Sequence, residues 1–186
     1  IKGSSWEYSN SLLSNSKRIV SHKYAVLIDG AGPRFKDDLV LQEDSKTKLT
    51  SGEWYPSLVN FLNQIESTCN IKVVIAAHPK SNYNKFPKEF DYRPVYYGVT
   101  KELVKSSEFI ITRQSTASSF AVIYDKPIVH IYSNQSLEDK EAMDNIISAN
   151  NTYSGTLVNI DEANFDIDFF KNIKVNNKIY TSIISE

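Results

Sequence analysis

Three polar clusters in this sequence carry residue types that do chemistry, and each directly follows a short apolar run. Asp29-Gly30 comes after residues 24–28, His78-Pro79-Lys80 after 71–77, and Arg113-Gln114-Ser115-Thr116 after 109–111. An imidazole titrating near neutrality can give a hydrogen bond or a proton to a departing phosphate. A carboxylate such as Asp29 can take the proton of an acceptor hydroxyl. A hydroxyl-rich turn opening a helix presents Ser115, Thr116, Ser118 and Ser119 together with backbone N–H groups, which suits a phosphate. Each cluster also has a plainer reading. Asp29 closes an Asx turn ahead of Gly30, His78 is an edge imidazole satisfied by solvent or a carbonyl, and Ser115 or Thr116 simply caps its helix.

The elements that must position these clusters alternate along the chain. Tyr24 to Ile28, residues 71–77, 109–111 and 128–131 are short runs rich in β-branched residues, the pattern of strands buried on both faces of a parallel sheet. Residues 95–97 and 157–160 add two shorter strands. Thr50 and Glu53 read as a capping box opening a helix with Tyr55, Leu58, Val59, Leu62 and Ile65 on one stripe. Thr100 is expected to cap a short helix through Lys105. A helix near residues 137–150 should turn Met143, Ile146 and Ile147 inward, and two helical pieces are expected around Phe169 and Tyr180.

Strand and helix in alternation predict an α/β fold, a Rossmann-like doubly wound parallel sheet with helices on both faces. Ligands of such sheets bind beyond the carboxyl ends of the strands. Asp29-Gly30, His78-Pro79, the turn from Gly98 to Thr100 and the stretch from Arg113 to Ser119 should therefore line one crevice. Lys80, Arg93, Arg113 and Lys126 are its candidate phosphate partners.

Composition narrows the classes. The chain has 186 residues, 41% hydrophobic and 23% charged, which fits a globular domain or one lobe of a larger enzyme. Residues 1–23 read as an entry segment with a helix near 12–19, and 24–186 as a single Rossmann-like domain. The start at Ile1 rather than Met suggests a piece of something longer. With 21 basic against 22 acidic residues there is no overall field favouring nucleic acid. One cysteine, Cys69, and three histidines make a disulfide impossible within the chain and a structural zinc site unexpected. No apolar run reaches the length of a membrane span, so the expected location is cytoplasmic, with any attachment to the inner membrane supplied by the rest of the protein. Asp29-Gly30-Ala31-Gly32 is followed by Pro33 and lacks the third glycine of a dinucleotide fingerprint. No Walker lysine, HExxH or Gly-x-Ser-x-Gly occurs, which sets aside triphosphate hydrolysis, zinc proteolysis and ester hydrolysis.

The order of motifs resembles the donor-binding lobe of GT-B glycosyltransferases of bacterial surface polysaccharides. The resemblance rests on His78-Pro79, the Thr100 to Val104 segment, Ser115-Thr116 and Lys126-Pro127, and it is similar to the sialyltransferase, Kdo transferase and CDP-glycerol transferase group. In the sialyltransferases a second acidic residue precedes the Asp-Gly pair, where this chain has Ile28. The resemblance implies that His78 contacts the donor phosphate, that Ser115 and Thr116 bind it, and that Asp29 is the base. It implies a CMP- or CDP-linked sugar donor, no metal or other cofactor, and a second lobe carrying the acceptor. A nucleotide-sugar 2-epimerase and a non-catalytic domain of the same fold remain as alternatives.

Overall fold

The computed structural model describes residues 18–30, 32–34, 49–162 and 165–185. The helix expected near residues 12–19 falls for the most part outside them.

Among the described residues six strands form one sheet: β1 (Tyr24–Ile28), β2 (Lys72–Ala77), β3 (Val95–Tyr97), β4 (Ile110–Thr112), β5 (Ile128–Tyr132) and β6 (Thr156–Asn159). Their order is β3-β2-β1-β4-β5-β6 and every pairing is parallel. This is the doubly wound Rossmann-like order, in which the direction of strand addition reverses between β1 and β4. β1 is buried along its whole length, as a central parallel strand must be.

Helices cover both faces. On one face α1 (Ser51–Cys69) and α5 (Ile167–Lys171) pack Leu58, Phe61, Leu62, Ile65 and Phe170 against Leu27, Val73, Ile75, Ile111 and Val129. On the other, α2 (Thr100–Ser106), α3 (Ser119–Ile123) and α6 (Asn177–Ser185) pack Leu103, Val104, Ala121, Val122 and Tyr180 against Val26, Ile28, Val74 and Ile128. α4 (Lys140–Tyr153) joins β5 to β6, and its Asn150 meets the β5 residue His130.

Several local expectations are corrected. Thr50 does precede α1, but its side chain makes no cap bond. It exchanges hydrogen bonds with Gln135 instead: the Thr50 amide donates to Oε1 at 3.0 Å, and Gln135 Nε2 donates to Oγ1 at 3.3 Å. The cap of α2 is Val99, not Thr100, which lies within the helix. α4 starts at Lys140, capped by Asp139, whose carboxylate accepts from the Ala142 amide at 3.0 Å. Its buried residues are Met143 and Ile146, while Ile147, one position further round the helix, is 39% exposed. Among the described residues no helix is long and apolar enough to cross a membrane.

Candidate functional site at the carboxyl edge of the sheet

Strand register sets the geometry of the crevice. Ile28 pairs with both Ala76 and Thr112, and Ala77 pairs with Tyr97. Continuing those registers places Gly98, His78, Gly30 and Gln114 in one row across the strand exits. Neighbouring strands are about 4.8 Å apart, so His78 and Gln114 stand roughly 10 Å apart with Gly30 between them. A Cβ on Gly30 would lie 3.8 Å from the Gln114 carbonyl oxygen, so the first and fourth turns touch at the point where strand order reverses. Gly98, in the left-handed region at φ 72°, and Thr100 sit at the outer edge of the sheet, three strands from Gln114.

A buried polar chain ties these exits together. After His78, residues 83–85 form a 3-10 turn that folds Tyr83 inward, 3% exposed. The Tyr83 amide donates to the Tyr97 hydroxyl at 2.9 Å, and the Tyr83 hydroxyl donates to Asp29 Oδ2 at 2.7 Å. One residue thus spans from β3 to β1 over the end of β2. Burial, followed by the nearby Asp29 charge, pushes the Tyr83 hydroxyl far above the ordinary tyrosine range, so it remains a donor. The Tyr55 hydroxyl lies 3.4 Å from that of Tyr83. Gly32, at φ 38°, passes close to the same group: a Cβ there would sit 3.5 Å from the Tyr55 hydroxyl and 3.6 Å from Trp54 Nε1. The Trp54 ring carries the Arg113 guanidinium 5.2 Å from its centroid, a cation–π pair. Trp54, Tyr55 and Tyr83 are parts of the crevice that sequence reading did not assign. The available signal was topological, because the first turn of a helix following β1 begins at the same sheet edge as Asp29.

His78 is half buried, and its Nδ1 accepts a hydrogen bond from the Lys80 amide at 3.2 Å. In the neutral ring that bond leaves the proton on Nε2, the tautomer that donates. Its carbonyl receives the Ser81 hydroxyl at 2.7 Å, which closes the turn around Pro79.

The turn after β4 is tighter than expected. Ser115 precedes a three-residue 3-10 turn, Thr116–Ser118, and only then comes the five-residue α3. So short a helix has a small macrodipole, and the turn offers hydroxyls and amides more than a field. Ser115 Oγ accepts from the Ala117 amide at 3.2 Å, the capping role of the plainer reading, and Ser119 Oγ donates to the Thr116 carbonyl at 2.9 Å. Ser118 points away from solvent and is fully buried. Thr112 and His130, register partners on β4 and β5, are also fully buried. The His130 ring contacts Asn150 Oδ1 at 3.2 Å and stacks on Tyr153, and burial lowers its pKa.

Beside this turn runs a groove of about 490 Å³. Gln114, Ser115 and Thr116 form one wall, and the face of α4 bearing Asn145, Ser148 and Thr152 forms the other, with Tyr153 at its end. That volume falls in the ordinary range for small-molecule sites.

Two candidate phosphate partners are at the wrong edge of the sheet. Arg93 precedes β3 and Lys126 precedes β5, which in a parallel sheet puts both at the amino ends of the strands. Arg93 is held by Glu66 at 3.0 Å and by Asn63 and the Phe90 carbonyl, fastening α1 to the approach to β3. Burial lowers the Lys126 pKa, and its carbonyl accepts from the Tyr180 hydroxyl at 2.9 Å. Among the described residues no group of three or more His, Cys, Asp or Glu is placed to hold a metal ion.

No protein-family model and no curated protein sequence matches the chain. Solved structures do resemble it. The UDP-GlcNAc 2-epimerase of Methanocaldococcus jannaschii, solved with UDP-GlcNAc and UDP, is 15% identical with a TM-score of 0.49, over 96% of this chain and 49% of the epimerase. The E. coli ADP-heptose LPS heptosyltransferase II is 12% identical with a TM-score of 0.40, over 99% of this chain and 52% of that one. Spinosyn forosaminyltransferase is 12% identical with a TM-score of 0.41, over 89% of this chain and 38% of its own. The chain thus spans about half or less of the length of these structures.

Proposed function

We propose that this chain is the donor-binding lobe of a glycosyltransferase of GT-B architecture, acting in bacterial surface polysaccharide synthesis on a nucleotide-activated sugar. The observation that carries the reading is the row His78, Gly30, Gln114 at the switch point of the sheet. An imidazole and a hydroxyl-bearing turn stand either side of a residue with no side chain. In the proposed reaction the bond from the sugar's anomeric carbon to the phosphate oxygen breaks, and its electron pair stays on the phosphate. Hydroxyls of Ser115 and Thr116, backbone amides of the turn and Nε2–H of His78 receive that charge, a stabilisation that grows as the bond breaks. Arg113 and Lys80 add positive charge at the same edge. The acceptor oxygen bonds to the anomeric carbon and its proton passes to Asp29, held by Tyr83. The acceptor itself would be bound by a second lobe.

Calorimetric titration with CMP, CDP, UDP and GDP tests the reading. At least one should bind with a Kd below about 1 mM, and His78→Ala should weaken it roughly tenfold. Absence of nucleotide binding would remove the central support and leave a non-catalytic domain. Conversion of a UDP-sugar to its 2-epimer without an acceptor would replace transfer by epimerisation.

A further inference from the structure

The groove beside the phosphate turn has a chemical character that sorts substrates. Among the described residues its lining is uncharged: amides from Gln114 and Asn145, hydroxyls from Ser115, Thr116, Ser148 and Thr152, the methyl of Ala149 and the ring of Tyr153. Of the charges near it, Glu141 precedes Asn145 by one turn of α4. Lys140 and Asp144, on α4, are paired with each other at 2.6 Å. Arg113, the residue before Gln114, lies over Trp54, whose helix covers the opposite face of the sheet.

Amides and hydroxyls both donate and accept, which matches ligand hydroxyls that do the same. Among the described residues the lining offers a carboxylate no cation, and with Ser115 and Thr116 engaged by the phosphate the α4 wall alone would have to replace its water. The aromatic ring of Tyr153 offers a flat apolar surface at one end for the C–H face of a ring. α4 is a rigid wall: Met143 and Ile146 anchor it beneath, and the Thr152 hydroxyl is turned back to the Ser148 carbonyl at 2.9 Å.

We infer that this groove holds a neutral, hydroxyl-bearing sugar ring and selects against acidic sugars, with Asn145, Ser148 and Thr152 setting the choice. The inference rests on the donor-lobe reading for the origin of the sugar, and it parts from the sialyltransferase and Kdo transferase likeness, whose transferred sugars are acids. A ribose from the nucleotide would present similar hydroxyls, and the experiment separates the two sources.

The test is amide chemical-shift mapping on the ¹⁵N-labelled chain, in two arms. In the first, methyl glucoside or sodium glucuronate is added alone at about 100 mM, a level that detects millimolar affinities. Methyl glucoside should move the amides of Thr116, Asn145, Ser148 and Thr152, and glucuronate should move them several-fold less. In the second, UDP, UDP-glucose and UDP-glucuronate are compared. UDP-glucose should move the α4 amides where UDP alone does not, and UDP-glucuronate should bind roughly fivefold more weakly than UDP-glucose. Ser148→Trp, an exposed position, should abolish the α4 response while leaving the rest of the spectrum intact. Asn145→Lys should raise the glucuronate response. Equal response to the neutral and acidic sugars, or a groove silent to both methyl glucoside and UDP-glucose while UDP binds, overturns the inference and leaves the donor-lobe reading standing. UDP shifts at the α4 amides as large as those of UDP-glucose would assign the groove to ribose and overturn it too. A groove that answers methyl glucoside in a chain that binds no nucleotide supports the inference and overturns the donor-lobe reading instead.

Discussion

The Tyr83 hydroxyl donates a hydrogen bond to Asp29 Oδ2 across 2.7 Å, while the Tyr83 amide donates to the hydroxyl of Tyr97. The carboxylate of the first strand exit is therefore oriented by a loop that belongs to the second, and that loop is pinned by the third. Tyr83→Phe keeps the ring and removes only the donor. It should cost about 1–2 kcal/mol of stability in urea denaturation, the usual range when a part-buried acceptor loses its partner. If Asp29 is the base, the same variant lowers kcat more than it raises KM, because the defect lies in the orientation of the reacting group. A loss of stability with kcat unchanged would make Tyr83 structural only.

Arg113 is held over the Trp54 ring, so its effect on a phosphate should depend on that ring. Arg113→Ala is expected to weaken nucleotide binding by roughly tenfold, and Trp54→Leu by a smaller factor in the same direction, since cation–π pairs contribute about 0.5–2 kcal/mol. The combined variant should lose less than the sum of the two. Strict additivity in calorimetry would show that the two residues act separately.

His130 makes stability depend on pH. Burial lowers its pKa below the usual 6.5, so the folded chain resists protonating it while the unfolded chain does not. Protonation then favours unfolding: stability from this residue is intact above about pH 6.5 and falls as pH drops from there towards the lowered folded value. The slope is at most about 1.4 kcal/mol per pH unit. Urea midpoints between pH 7.5 and 5 should show this fall, and His130→Gln should flatten it. An equal fall in the variant would assign it to other groups.

Gly155 explains how His130 is accommodated. A Cβ there would come within 2.7 Å of His130 Nδ1 and 3.0 Å of both Asn150 Oδ1 and the Ile128 carbonyl oxygen. Gly155→Ala must push the imidazole or the strand aside and should cost about 1–3 kcal/mol, the range for overfilling a packed site. Thermal unfolding would read this as a clear drop in Tm.

The sheet was legible from sequence because its strands announce themselves. The β-branched runs at Tyr24, Val73, Ile110 and Ile128 are buried on both faces, and each ends in a residue that cannot continue a strand. Those endings also placed Asp29, His78 and Gln114 at one edge before any coordinates. What sequence could not supply is lateral. Tyr83 reads as a loop aromatic, and only its fold back over β2 brings it to Asp29. Ile147 fits the stripe of α4 within one position, yet the step of about 100° from the buried Ile146 carries it outward. Arg93 and Lys126 precede the strands at 95–97 and 128–131 and so lie at the amino edge, a position their place in the chain already implied. The groove was invisible since Asn145, Ser148 and Thr152 read as ordinary helix-surface residues until the fold sets them beside the turn from Gln114 to Thr116.

The central claim is that a nucleotide phosphate sits between His78 and the turn from Gln114 to Thr116. Titrating the ¹⁵N-labelled chain with CDP and UDP and mapping the amides that move tests it most directly. The account predicts saturable shifts centred on Gly30, His78, Gln114, Ser115 and Thr116, with a Kd below about 1 mM and roughly tenfold weaker binding in Arg113→Ala. Saturable shifts centred instead on the amino edge of the sheet, around Lys23, Arg93 and Lys126, or no shifts at millimolar nucleotide, would contradict it.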